Sequence, residues 1–293
     1  MNTFERQTIR HLLNVSATIL IPFVIVGALA GGWRGAALAA AAGVALQALV
    51  YALARPLLLR MMRADVVDAT SHPQLLETVD RLAGVADVTV PAVAVSRIRT
   101  PNAFAAATPG GGIVGVTTGL LELLPPEQVA AVLAHEIAHL ERRDRTGVTI
   151  AAILGSLPGV VAAASGSDLL YDRAFRRRIP RAWGGRRLRP VRDAIAFVSM
   201  PLTALLVRAS AERSDEFHAD AEAARLIGDP QPLIAALRKI GALAGRLPAP
   251  VNPALCGLMV IHPFGQERLS RLIDTHPTTI ERVERLTAID PAA

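Results

Sequence analysis

The chain predicts a mainly α membrane protein carrying a small α+β domain, and three observations predict it. Hydrophobic residues make up 52% of the 293 and charged residues only 19%, with a mean hydropathy of +0.38. That balance is unlike a soluble enzyme's. Two apolar runs of near-bilayer length open the chain, and beyond them the composition turns globular around a helical stretch holding His135-Glu136-Ile137-Ala138-His139.

The apolar runs extend from about Val15 to Ala30 and from Ala36 to Ala54, joined by Gly31-Gly32-Trp33-Arg34-Gly35. A signal peptide would end in a small-residue cleavage site bounded by polar sequence. Here a second run follows at once, so a transmembrane hairpin is predicted for residues 1–64. Arg6 and Arg10 precede it, and Arg55, Arg60 and Arg63 follow it, which places both outer ends in the cytoplasm by the positive-inside rule.

The first part of an aqueous domain, 65–147, begins with an amphipathic helix over Ser71 to Val85, with Leu75, Leu76, Val79, Leu82 and Ala83 on one face. Short runs bounded by Pro and Gly follow at Ala92 to Ser96, Ala103 to Ala107 and Gly112 to Thr117. They predict a small antiparallel sheet, with Pro109-Gly110-Gly111 turning between the last two. A helix from about Gly119 to Leu124 leads to Pro125-Pro126 and the motif helix, whose apolar positions are Val129, Val132, Leu133, Ile137 and Leu140. His135 and His139, four apart, project from one face and suit one shared metal ion. Glu136 lies beside them, where a carboxylate reaches a water at the metal. Cys256 is the only cysteine, so an internal disulfide and a Cys-rich zinc ribbon are excluded, and metal ligands must be His or carboxylates.

Residues 148–207 hold two further membrane-associated segments, Val148 to Ala164, with Gly155, Pro158 and Gly159, and the short Ala194 to Val207 with Pro201. The Arg-rich loop between them, 173–192, suits lipid headgroups. A nucleic-acid partner is not expected, because only 4% of residues are aromatic and little is available for bases to stack on. If both segments span, the loop faces away from the N-terminus; if neither spans, it stays cytoplasmic. Either way the second part of the aqueous domain, 208–293, returns to the side of His135 and His139. Its helix over Ala209 to Ile227 carries Glu212, Asp215, Glu216, His218, Asp220 and Glu222. Glu216 and His218 both have the chemistry of a third ligand. Glu216 is favoured because Asp220, one turn later, is placed to accept a hydrogen bond from a ligating imidazole.

The ordered motifs resemble those of the HtpX and CAAX prenyl protease family of membrane zinc metalloproteases, which are gluzincins. The likeness covers nearly the whole chain: His135-Glu136-Ile137-Ala138-His139 with Asp144 after it, Pro101-Asn102-Ala103-Phe104-Ala105 before it, Thr117-Thr118-Gly119-Leu120-Leu121, Glu216-Phe217-His218-Ala219-Asp220, and Thr275-His276-Pro277 with Arg282. His262-Pro263 is a second candidate for the last motif, but Thr precedes only His276, so His262 reads as structural. The resemblance implies a zincin-like catalytic domain holding one Zn2+ per chain on His135, His139 and Glu216, supported by Asp220 and Asp144. It implies Glu136 as general base, His276 as oxyanion donor, and Arg282 orienting substrate or supporting the site. Asn102, Ala103, Phe104 and Ala105 would form an edge on which an extended substrate adds as a strand. The expected protein is multi-pass in the cell's inner membrane, faces its site to the cytoplasm and cleaves unfolded or damaged membrane proteins. A zinc-holding adaptor is the alternative, and Glu136 argues against it, since a scaffold needs no general base.

Overall fold

The computed structural model describes residues 3–142, 145–164, 213–244, 246–247, 251–263 and 276–289. The Arg-rich stretch 173–192, the segment 194–207, Asp144 and Thr275 lie outside the described residues.

The chain opens with α1 (Thr3–Ala52), a helix broken at Gly31 and Gly32. Gly32 takes φ 58°, a left-handed conformation that other residues adopt only at a cost. The break folds the two arms back on each other. Ser16 Oγ donates to Gln47 Oε1 at 2.9 Å, and farther along a Cβ added at Gly27 would run into the Gly35 carbonyl oxygen. Contacts between small residues let the helices approach closely. The outward faces are apolar and bare, Leu29 being 84% and Leu38 74% exposed, and Leu13–Ala52 is long and apolar enough to cross a membrane.

After α2 (Ala54–Met61) the chain enters a mixed four-stranded sheet. Its strands are β1 (Ala64–Val66), β2 (Ala92–Ser96), β3 (Ala103–Ala106) and β4 (Ile113–Thr117), in the order β1-β2-β4-β3. The expected sheet is corrected in two ways. β2 pairs with β4 in parallel, and β1 is an added strand antiparallel to β2. The predicted turn joins β3 to β4 as an antiparallel pair, with Gly110, Gly111 and Gly112 at φ 90°, 113° and 92°.

Alternation along the strands splits the core in two, because successive side chains face opposite ways. Val93, Ala103, Ala105, Val114 and Val116 face one cluster, built with α3 (Pro73–Val85), α4 (Thr118–Leu123) and α5 (Pro126–Glu141). Ala94, Phe104, Ala106 and Ile113 face the other, which joins the base of α1, α2 and the helix α6 (Arg145–Ala164). The first cluster also takes in α7 (Arg213–Ile227), α8 (Gln231–Leu243) and α9 (Thr279–Thr287). A 3-10 turn, Pro253–Leu258, packs against α6.

Candidate metal centre

The motif helix α5 is buried along most of its length, from Val129 through His139 with the exception of Ala130. Pro126 starts it with Glu127 in the first turn, where a ring without an N–H and an acidic side chain both suit a helix N-terminus. His135 and Glu136 are fully buried and His139 is 1% exposed. α7 crosses it on an alanine-lined face, Ala219, Ala223 and Ala224, which brings Glu216 against the two imidazoles. His135 Nε2 and His139 Nε2 are 3.3 Å apart. Glu216 Oε2 is 3.4 Å from the first and Oε1 is 3.5 Å from the second.

These spacings test whether a metal fits. Nitrogen and oxygen ligands about 2.0–2.2 Å from a tetrahedral ion lie about 3.3–3.6 Å from one another, and the three separations match. His218, the other candidate on α7, is exposed on the far side.

Further polar groups lie behind these three side chains. His135 Nδ1 is 3.0 Å from Asp220 Oδ1, which leaves Nε2 to face the cluster. Asp220 is held by Arg282, whose Nε and Nη2 donate to Oδ2 and Oδ1 at 2.8 and 2.6 Å. Arg282 Nη1 donates to the Val260 carbonyl at 2.5 Å and lies 3.4 Å from Glu216 Oε2. A capping box between Thr278 and Glu281 fixes the start of α9, and so the placement of this arginine.

Burial works to raise the Asp220 carboxyl, but the charge and hydrogen bonds of Arg282, with His135, outweigh it and hold the group below its ordinary value. Burial raises the Glu136 carboxyl, and the positive fields of His135, Arg145 and His139 return only part of the shift. Both Glu136 oxygens are buried with no protein hydrogen-bond partner.

His276 Nε2 approaches Glu216 Oε1 at 3.6 Å. His276, His262, Arg282, Pro277, Val260 and Ile261 line a cavity of about 210 Å³ beside the cluster.

The expectation of a free substrate edge at Asn102, Ala103, Phe104 and Ala105 is corrected. All four are buried, and the chain's own segment lies on that edge. Val260 N–H donates to the Ala103 carbonyl at 3.0 Å, and Phe104 forms an antiparallel bridge with Met259. Asn102 clasps the same segment, its Nδ2 donating to the Ile261 carbonyl at 2.7 Å.

Sequence reasoning missed Arg145. It is 2% exposed, its Nη1 donates to the Gly257 carbonyl at 2.7 Å, and its Nη2 stands 3.5 Å from Glu216 Oε1. The available signal was that Arg145, the last of a charged run, is the one charged residue inside the otherwise apolar segment 145–164, a place where an unpartnered cation is expensive.

Comparison with known proteins adds the family. The model of "Peptidase family M48" matches residues 69–290. The chain belongs to this family. Among M48 relatives, a protein named "Protease HtpX homolog" from Salinibacter ruber is 32% identical over 289 residues, covering 98% of this chain and 97% of that one. Another of the same name, from Methylibium petroleiphilum, is 32% identical over 279 residues, 94% of this chain and 95% of its own. The crystal structure of S. mikatae Ste24p aligns at a TM-score of 0.46 with 15% identity, over 98% of this chain and 66% of that longer one. The M48 assignment makes the protein a metalloprotease, and the His135-His139-Glu216 cluster is a group able to hold its metal.

Proposed function

We propose that this M48 protein is an integral-membrane zinc endopeptidase that cleaves unfolded or damaged membrane proteins at the cytoplasmic face. The observation that carries the reading is the buried His135, His139 and Glu216 cluster with the unpaired carboxylate of Glu136 beside it. A buried carboxylate with no partner costs stability, a cost that a mere scaffold has no reason to retain.

His135, His139 and Glu216 would hold the ion. When bound, zinc supplies Lewis acidity toward a peptide carbonyl and brings the acidity of water near neutrality. Glu136 takes the proton from the attacking water and returns it to the leaving amine, and its raised carboxyl pKa suits both halves of that exchange. Asp220 and Arg282 keep the His135 tautomer and ring fixed. His276 donates to the developing oxyanion. Arg55, Arg60 and Arg63 directly follow the hairpin and support a cytoplasmic site.

The test is Glu136→Gln in the full-length protein. Cleavage of an unfolded membrane substrate should fall by at least about a hundredfold while one zinc per chain is retained. Full cleavage with zinc in place would remove Glu136 from the mechanism.

A further inference from the structure

Where the hairpin meets the aqueous domain, an open cavity of about 670 Å³ lies between α2 and β1. Its charged lining is Arg60, Arg63, Arg97 and Asp65, and Leu59 and Val66 contribute an apolar part. The arginines are not equivalent. Arg97 is taken by Asp65, its Nε and Nη2 donating to Oδ2 at 3.0 and 2.6 Å. Arg60 and Arg63 are both exposed and have no ion partner among the described residues.

The backbone fixes this arrangement. Arg63 takes a left-handed φ of 50°, uncommon outside glycine, and its carbonyl accepts the Arg97 N–H at 3.1 Å. One residue earlier, Ser96 Oγ donates to the Met62 carbonyl at 2.5 Å. The turn after α2 is thus tied to β2 at two consecutive points, and three guanidinium-bearing residues surround one cavity by construction.

Guanidinium groups match phosphate oxygens in shape and charge, and two unpaired ones lie here beside an apolar wall. The cavity sits one short helix beyond a hairpin whose outward faces are bare and apolar, and the membrane reading above puts it near the lipid phosphates. We propose that it binds the phosphate of an anionic phospholipid headgroup, Arg60 and Arg63 taking the phosphate while the Arg97–Asp65 pair forms the facing wall. A lipid so held bridges the hairpin and the sheet. The anion site stands on the cavity alone; only the lipid source rests on the membrane reading above.

Arg55 supplies the control, because it is exposed on the same helix yet does not line the cavity. The full-length protein in detergent would be titrated with phosphatidylglycerol, phosphatidylcholine and inorganic phosphate, reading thermal stabilisation and lipid retained in native mass spectrometry. Phosphatidylglycerol should stabilise and be retained, phosphatidylcholine should not, and Arg60→Gln with Arg63→Gln should weaken the effect at least about tenfold. Arg55→Gln should leave it unchanged, as should soluble-peptide cleavage in all variants that fold. Stabilisation by inorganic phosphate equal to that by the lipid would keep the anion site and assign it to a soluble phosphate. Equal losses from Arg55→Gln and the double variant, or equal stabilisation by both lipids, would overturn the proposal in favour of diffuse surface charge. Because none of these residues touches the metal cluster, a failure here leaves the protease reading standing, and the reverse also holds.

Discussion

At the residue scale, the candidate centre is a chain of held groups, with Asp220 behind His135 and with Arg282 and Arg145 beside Glu216. Asp220 is ionised by Arg282 and orients His135, so its folded carboxyl titrates below the ordinary 3.8. A lowered carboxyl contributes stability that is complete above that value and is lost as pH falls through the folded one. Melting of the metal-free protein should therefore drop on acidification below 3.8, and Asp220→Asn should remove that acid step and cost about 3–5 kcal/mol at neutral pH, because it leaves Arg282 buried and unpaired. Arg145 makes a separate prediction. Its charge helps to ionise Glu136, so Arg145→Met should raise the Glu136 carboxyl further. Because the base works only when ionised, the acid limb of the pH–rate profile should move to higher pH, with zinc content unchanged. His135, Glu136 and His139 were legible in sequence because helical spacing alone puts the imidazoles on one face. Glu216 and His218 differ only in which face of α7 meets α5, a matter of packing. Arg145 was hidden among many arginines, since its partners, a carbonyl near residue 257 and a carboxylate at 216, come from distant parts of the chain.

At the element scale, the hairpin and the helices follow local pattern closely, since apolar periodicity and Gly or Pro punctuation act within a few residues. The sheet was less legible. Alternation marks β2, β3 and β4 as strands, but direction depends on the path between them, and the route from β2 through residues 97–102 brings β3 in at the far edge, leaving β2 parallel to β4. β1 is three residues long, too short to show a period. The segment at Met259 and Val260 has no strand signature of its own; it lies along β3 because Asn102 and Arg282 hold its carbonyls. In the hairpin, Gly27→Leu would drive a side chain into the Gly35 carbonyl. The variant should separate the arms and lower the melting temperature of the full chain in detergent, whereas Leu29→Ala, on the bare outer face, should leave it nearly unchanged.

At the scale of the whole molecule, the sheet is the partition. The helices that carry His135, His139 and Glu216 cover one face, and the other rests on the base of the hairpin and on α6. A reporter fused at Arg34, in the turn, should lie across the membrane from one fused after Ala293; the same side for both would refute a spanning hairpin. α6 belongs to both halves. It begins at Arg145, whose Nη2 lies 3.5 Å from Glu216 Oε1, and at Ile150 to Leu154 it is packed into the cluster that contains Val15, Ile19 and Val50 of α1. Arg145 and Ile150 are five residues apart, about 7.5 Å along one helix. A helix is stiff over that length, so a sideways step of the hairpin arrives at the guanidinium almost undiminished, and about 1 Å of misplacement can cost a reaction about a hundredfold. Turnover should therefore register bilayer thickness: a lipid mixture that forces the arms to tilt acts as a throttle on peptide hydrolysis without touching the substrate.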